Sequence, residues 1–336
     1  MTRLVLPLLL AALAGSGGVT PTEPPPAPDA IAETLFLIGD AGEPAPGGEP
    51  VLIALRRQLE RVASRATVAF LGDNLYPDGL PDPADPGFAE RARRIDDQVD
   101  AVRDTGARVV FIPGNHDWAK GGRDGWERIR RQERRVEERG GPRVQFLPND
   151  GCPGPEVVDA GERLRLVALD TQWWLHAHDR PEHPGSSCPA HSEEEIVAGL
   201  AAALGGAGAR DVVVLGHHPL ESGGPHAGKF GLKQHLFPLT EWKKALFIPL
   251  PLVGSAYPIA RASGITSQDI PSDAYGRMRK ALAGAAREKK PLAWAGGHEH
   301  VLQVIESPEW GRVLVSGSGI YGHVTSVRNV KGSLYR

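Results

Sequence analysis

Short, uniformly apolar runs recur along this chain, and five of them lead within a residue or two into a glycine followed by polar, ligand-type residues. Leu35–Ile38 precedes Gly39-Asp40, Val68–Leu71 precedes Gly72-Asp73-Asn74-Leu75-Tyr76, and Val109–Ile112 precedes Gly114-Asn115-His116-Asp117. Val212–Leu215 leads to Gly216-His217-His218, and Leu292–Trp294 to Gly297-His298-Glu299-His300. Runs this apolar suit strands covered on both faces. Leu164–Leu169 is a sixth such run, and charge-studded segments with helical character (Leu52–Ser64, Phe88–Arg103, Glu127–Arg139) lie between them. Strands alternating with helices predict an α/β layered domain. In such folds ligand sites gather beyond the carboxyl ends of the strands, where every polar cluster sits.

Near the C-terminus the rhythm changes. Val301–Ile305 and Arg312–Ser316 read as a hairpin around Pro308-Glu309-Trp310-Gly311, which predicts a partly antiparallel second sheet. Val330–Arg336 shows no recognisable terminal element. Between residues 228 and 272 aromatic and proline-rich sequence interrupts the pattern, and an insert of that length reads either as a lid or binding loop or as a packed excursion of the core. Its repeated prolines remove backbone donors, which argues against stable membrane insertion.

The 336 residues, 41% hydrophobic and 24% charged with a formal net charge of -3, suffice for a substantial core. That charge balance argues against broad binding to nucleic acid, which needs a basic face. Met1–Ala14 has the layout of a signal peptide: Arg3, an apolar stretch Leu4–Leu13, and Ala12-Leu13-Ala14 as a small-x-small cleavage site. Residues 15–31 read as a flexible linker, and the domain as 32–336. The expected location is therefore outside the cytoplasm, periplasmic or extracellular. In an oxidising compartment Cys152 and Cys188 are expected to pair.

The clusters supply Asp, Tyr, Asn and His, donors that hard and borderline cations prefer. Their order resembles the calcineurin-like metallophosphoesterase superfamily, whose motifs run Asp-x-His, Gly-Asp-x-x, Gly-Asn-His-Asp/Glu, His and Gly-His-x-His, over about residues 34 to 323. The resemblance implies an α-β-β-α sandwich of two mixed sheets flanked by helices, with a dimetal site at the strand ends. Two departures narrow it. Gly42 stands where the superfamily commonly has His, and Tyr76 lies three residues after Asp73. That exchange resembles the purple, or tartrate-resistant, acid phosphatase branch.

What this branch implies is an enzyme, exported on the signal-peptide reading, that hydrolyses small-molecule phosphate monoesters by attack of a metal-bound hydroxide. Asp40, Tyr76 and His300 would hold Fe(III), and Asn115, His217 and His298 a divalent ion (Fe, Zn or Mn), with Asp73 bridging. His116 and His226 would act on the substrate. His218, Asp117 and Glu299 are expected to support their neighbours, and His176, His178, His183, His191, His235 and His323 to be solvated or packed. A phosphodiesterase or nucleotide pyrophosphatase on the same core is the alternative, and a non-catalytic metal- or phosphate-binding protein a third reading. No feature specifies an oligomeric state.

Overall fold

Strand positions follow the apolar runs closely in the computed structural model, which describes residues 31–62, 65–241, 245–319 and 324–336. The signal-peptide reading of 1–14, nearly all of the 15–31 linker, and His323 lie outside the described residues. The first half runs β1 (Thr34–Ile38), α1 (Pro50–Val62), β2 (Ala66–Leu71), α2 (Phe88–Asp100), β3 (Arg108–Ile112), α3 (Gly125–Gly140) and β4 (Val144–Phe146). β1 to β4 form one sheet in chain order, parallel throughout.

The second half runs β5 (Glu156–Ala160), β6 (Leu164–Ala168), α4 (Gln172–Leu175), α5 (Glu193–Gly205), β7 (Asp211–Leu215), α6 (Leu232–Leu236), α7 (Ala256–Ala262) and α8 (Asp273–Ala285). β8 (Ala293–Gly296), β9 (Leu302–Ser307), β10 (Gly311–Ser316) and β11 (Ser333–Tyr335) follow. They assemble a seven-stranded sheet in the order β11-β9-β10-β8-β7-β6-β5. Its centre is parallel and its margins antiparallel.

Two expectations change here. Of the two sheets only the larger is mixed, because every connection in the first half is a helical crossover that returns the chain in one direction. The C-terminal residues, which carried no signal, form β11 against β9, with Gly332 (φ 86°) making the turn that its single short strand needs.

Strand alternation then builds the layers. Val68 and Phe70 on β2, with Val109 and Phe111 on β3, meet Leu59, Ile95, Ile129 and Val136 from α1, α2 and α3. Their neighbours Ala69, Leu71, Val110 and Ile112 turn the other way, onto Leu166, Val213, Leu215 and Ala295 of the larger sheet. The far face of that sheet, including Val167, Val214 and Trp294, is covered by Ile196 and Leu200 of α5 and by Met278 and Leu282 of α8. The result is helices, sheet, sheet, helices.

The expected disulfide is present. Cys152 and Cys188 are joined across a Cα separation of 5.4 Å and 36 positions of sequence, both nearly buried. The insert packs as α6, α7 and short 3-10 turns. Among the described residues no helix is long and apolar enough to cross a membrane.

Candidate metal centre

The five polar clusters meet at the joint between the sheets. Loops after β1, β2 and β3 deliver Asp40, Asp73, Tyr76 and Asn115, and loops after β7 and β8 deliver His217, His298 and His300. Apart from the half-buried His300, all are buried.

Getting them there requires sharp turns. Asp40 (φ 62°), Asp73 (φ 52°) and His298 (φ 65°) are themselves left-handed, so the glycines before them are not the only bend. Each such residue costs roughly 1–3 kcal/mol, a strain that persists only where surrounding contacts fix it. Here they do: Asp40 N–H donates to Gly72 O at 2.9 Å, and His298 N–H donates to Asp40 Oδ2 at 2.9 Å. Gly297 is needed for close approach, since a Cβ there would lie 2.5 Å from Asp40 Oδ2. His298 and His300, two residues apart, face different parts of the site. The left-handed turn at His298 separates them, one toward each half of the site.

The contacts fall into two sets. Tyr76 Oη lies 3.0 Å from Asp40 Oδ1, 3.0 Å from Asp73 Oδ2 and 3.1 Å from His300 Nε2. In the second set Asn115 Oδ1 lies 3.0 Å from both His217 Nε2 and His298 Nδ1. Asp73 spans the two, because its Oδ1 is 3.5 Å from His217 Nε2 while its Oδ2 faces Tyr76.

Gly42 explains how a tyrosine comes to be there. A Cβ at residue 42 would lie 2.5 Å from the backbone nitrogen of Leu75 and 2.6 Å from the carbonyl carbon of Asn74. The loop that carries Tyr76 occupies the space a side chain at 42 would need, and it is stitched there by Gly42 N–H to Asp73 O (3.1 Å) and Tyr76 N–H to Gly42 O (3.3 Å).

Protonation states support a cation site. His217 Nδ1–H donates to Leu71 O (2.8 Å), so Nε2, the nitrogen free to bind a metal or a second proton, points at Asn115 Oδ1. His298 Nε2–H donates to Gln268 O (3.0 Å), so its Nδ1 lone pair points there too. Asn115 Oδ1 and two imidazole nitrogens converging in a buried space fit a cation, either a metal ion or a proton on His217. Burial, then neighbouring imidazoles, keep His298 neutral by pushing its pKa well below the ordinary value, the state a metal ligand requires.

Burial opposes charge on Asp73, but His217 and His116 more than offset it and hold the carboxyl well below the usual range. Burial also works against His217, which the Asp73 carboxylate nonetheless raises to about 9. Burial and the carboxylates of Asp40 and Asp73 push the Tyr76 phenol well above its ordinary value. Only a strong cation would make it a tyrosinate.

His116 and His226 stand at the cavity beside these sets. His116 Nδ1 is 2.6 Å from Pro77 O, leaving Nε2 toward Asp73 Oδ2 at 3.9 Å. The His226 ring lies 4.0 Å from that of His298, centroid to centroid. The cavity encloses about 310 Å³ and is also lined by Lys120, Arg261, Thr266 and Gln268.

His218 lies near His217 and His298 but both its ring nitrogens are engaged, at 2.8 Å from Thr171 Oγ1 and 2.8 Å from Gln268 Oε1. Its ring thus ties Thr171 to Gln268 beside His217 and His298. Asp117 organises the loops, accepting from Gly114 N–H (2.8 Å), Leu75 N–H (3.0 Å) and Gln132 (3.0 Å). Glu299 accepts from Ser222 Oγ and from Ala227 N–H, both at 3.1 Å.

Sequence reading missed Gln268. Its carbonyl contacts His298 and His226 (3.2 Å), and its side chain contacts His218 and Gln172 (3.0 Å). The only signal was a polar triplet, Ser267-Gln268-Asp269, closing a largely apolar insert.

Comparison with curated proteins gave no match. Among solved structures, virulence factor SghA from Agrobacterium tumefaciens is 14% identical, with 90% of this chain and 70% of that one covered and a TM-score of 0.25. A beta-glucosidase from Thermotoga maritima in complex with castanospermine is 12% identical over 85% and 70%, with a TM-score of 0.24. Scores this low bear on neither fold nor function. The calcineurin-like phosphoesterase family model matches residues 34–245, which span the first four polar clusters but stop before His298 and His300. With that match over more than half its length, and candidate His/Asp metal clusters at its strand ends, the chain belongs to the calcineurin-like phosphoesterases, a family of metal-dependent hydrolases of phosphate esters.

Proposed function

We propose that the chain is an exported phosphomonoesterase of the purple acid phosphatase type. The observation that carries this reading is Tyr76 Oη within 3.1 Å of Asp40, Asp73 and His300, in a loop that packs on Gly42 where the family commonly has histidine. The family implies two divalent metal ions. On our reading Asp40, Tyr76 and His300 would hold Fe(III), Asn115, His217 and His298 would hold a divalent ion, and Asp73 would serve both. Trivalent iron is the reading because its higher charge better offsets the burial and the Asp40 and Asp73 carboxylates that keep this phenol protonated.

When bound, such a pair supplies Lewis acidity toward the phosphate and a nucleophile at acidic pH. The chain's own groups do the rest. His116, fixed through Nδ1 by Pro77 O, presents Nε2 to the cavity and can give a proton to the departing alkoxide. Nδ1 of His226 lies 3.2 Å from Gln268 O and 2.9 Å from Arg261 Nη2 and bonds one or the other according to its tautomer, so Nε2 is the edge left to meet the ester. Arg261 is in turn anchored to Asp269 at 2.7 Å, which keeps both in place as substrate enters.

The test is spectroscopic and kinetic. Purified protein is expected to contain iron, absorb visible light through tyrosinate charge transfer, and turn over aryl phosphates faster than bis-aryl phosphates. Tyr76→Phe should abolish the band. A fully active but colourless and iron-free enzyme would overturn the ferric assignment, and a preference for the diester would move the activity to phosphodiester hydrolysis.

A further inference from the structure

Exposed large apolar side chains are concentrated in one place. Phe247, Ile248, Leu252, Val253, Ile259 and Ile265 are 49–92% exposed, and all lie in the insert between β7 and α8. Leu252, 92% exposed, also has a positive φ (68°), a conformation that is locally costly for a leucine. The segment is a compact unit. Leu250 N–H donates to Leu236 O at 2.8 Å, Phe237 and Phe247 meet edge to face at 5.9 Å, and Phe230 meets Tyr257 at 5.8 Å. Apolar exposure on a packed surface marks an interaction site.

Charge identifies the partner. Residues 228–265 carry five cations (Lys229, Lys233, Lys243, Lys244, Arg261) and one acid, Glu241. Arg261 is committed to Asp269 at 2.6 Å. Lys229 and Lys233 are exposed and form no ion pair among the described residues, and Lys233 Nζ lies 5.1 Å over the Phe247 ring. A second copy seated on this face by a two-fold axis would bring Lys229 and Lys233 toward like charges. An anionic bilayer surface instead neutralises them and receives the apolar tips at the headgroup boundary.

We propose that the insert docks the protein on anionic phospholipid membranes, adsorbing at the interface without spanning it. Residues 261 to 268 of the same segment supply Arg261, Thr266 and Gln268 to the cavity wall, so adsorption holds the site beside the bilayer.

The experiment is co-sedimentation of the full chain with vesicles of phosphatidylcholine alone and of phosphatidylcholine with phosphatidylglycerol, without substrate. Binding is expected on the phosphatidylglycerol vesicles, weakening with salt, and falling at least tenfold for Leu252→Asp/Val253→Asp and for Lys229→Glu/Lys233→Glu. Circular dichroism and chromatography confirm that each variant is folded. Equal partition of wild type and variants, or no partition at all, refutes the proposal. So does a concentration-dependent dimer that Leu252→Asp/Val253→Asp dissociates, which would make a second copy the occupant. None of these readouts depends on turnover, so failure here leaves the catalytic reading untouched.

Discussion

Replacing Gly42 by alanine should destabilise the fold and loosen the metal centre together. The added Cβ would sit 2.5 Å from Leu75 N, 2.6 Å from Asn74 C and 2.7 Å from Asn74 O, all backbone atoms that no rotamer change relieves. Asn74 cannot retreat cheaply. Its carbonyl accepts from Gln98 at 2.8 Å, and its side-chain amide donates to Ile112 O at 2.9 Å and to Asp117 at 3.1 Å. Overpacking of this kind costs about 1–3 kcal/mol. If the loop shifts it also stretches the two backbone hydrogen bonds to Gly42, at about 1 kcal/mol each. The sum is about 3–5 kcal/mol, or a fall in melting temperature of roughly 6–10 °C at about 2 °C per kcal/mol for a chain of this size. Differential scanning calorimetry with metal analysis measures both effects. Gly42→His, which restores the family's usual residue, should do worse, and Gly42→His/Tyr76→Phe should not recover bound metal. A Gly42→Ala protein within 0.5 kcal/mol of the parent and with full metal content would refute the steric account.

Other consequences follow from the buried charges and the crosslink. Glu133, whose carboxylate accepts from Asp150 N–H at 2.9 and 3.0 Å, is raised by burial from 4.5 to about 7. The folded state therefore binds the proton more tightly, and this stabilisation, up to about 3 kcal/mol, is complete below pH 4.5 and lost as pH rises through 7. Urea titrations across that window should show stability declining with pH, and Glu133→Gln should flatten the slope; an unchanged slope refutes the assignment. Reduction of Cys152–Cys188, which closes a loop of 36 positions, is expected to destabilise by about 4 kcal/mol, measured as a shift of the urea midpoint with and without reductant.

The central strands β2, β3, β7 and β8 were legible because both their faces are covered, which leaves continuous apolar runs with no competing pattern. Ligand positions were legible for a related reason: polar side chains directly after such runs have no core to join. What escaped reading was non-local. That Asp40, Asp73 and His298 take left-handed turns depends on contacts between loops far apart in sequence, such as Asp40 with His298. Gln268 acts largely through its carbonyl oxygen, which any residue possesses, so its identity carried little warning. β11 is a three-residue strand with its last two side chains exposed, and it exists because β9 offers an edge. Gly42 was read as a missing ligand, and the structure adds that a side chain there would collide with the loop that replaces it.

Because one set of ligands hangs from the parallel sheet and the other from the mixed sheet, bound metal should act as a clasp between them. Asp40, Asp73, Tyr76 and Asn115 belong to the first sheet, His217, His298 and His300 to the second. Without a cation, the lone pairs of Asn115 Oδ1, His217 Nε2 and His298 Nδ1 face one another at 3.0 Å, and His217 answers by binding a proton up to pH about 9. A metal at a hundred times its dissociation constant adds about 2.7 kcal/mol per site by linkage, so two sites raise the melting temperature by roughly 10 °C. Chelation followed by thermal unfolding, with Fe, Zn or Mn added back, measures this without reference to catalysis. Asn115→Ala should forfeit about half of the metal-dependent gain, because its loss unmakes one site and spares the set around Tyr76. A melting temperature indifferent to chelator and metal alike would mean that the sheets are joined by their apolar interface alone, Leu71 and Ile112 against Leu166 and Leu215, and that these residues converge for some purpose other than holding ions.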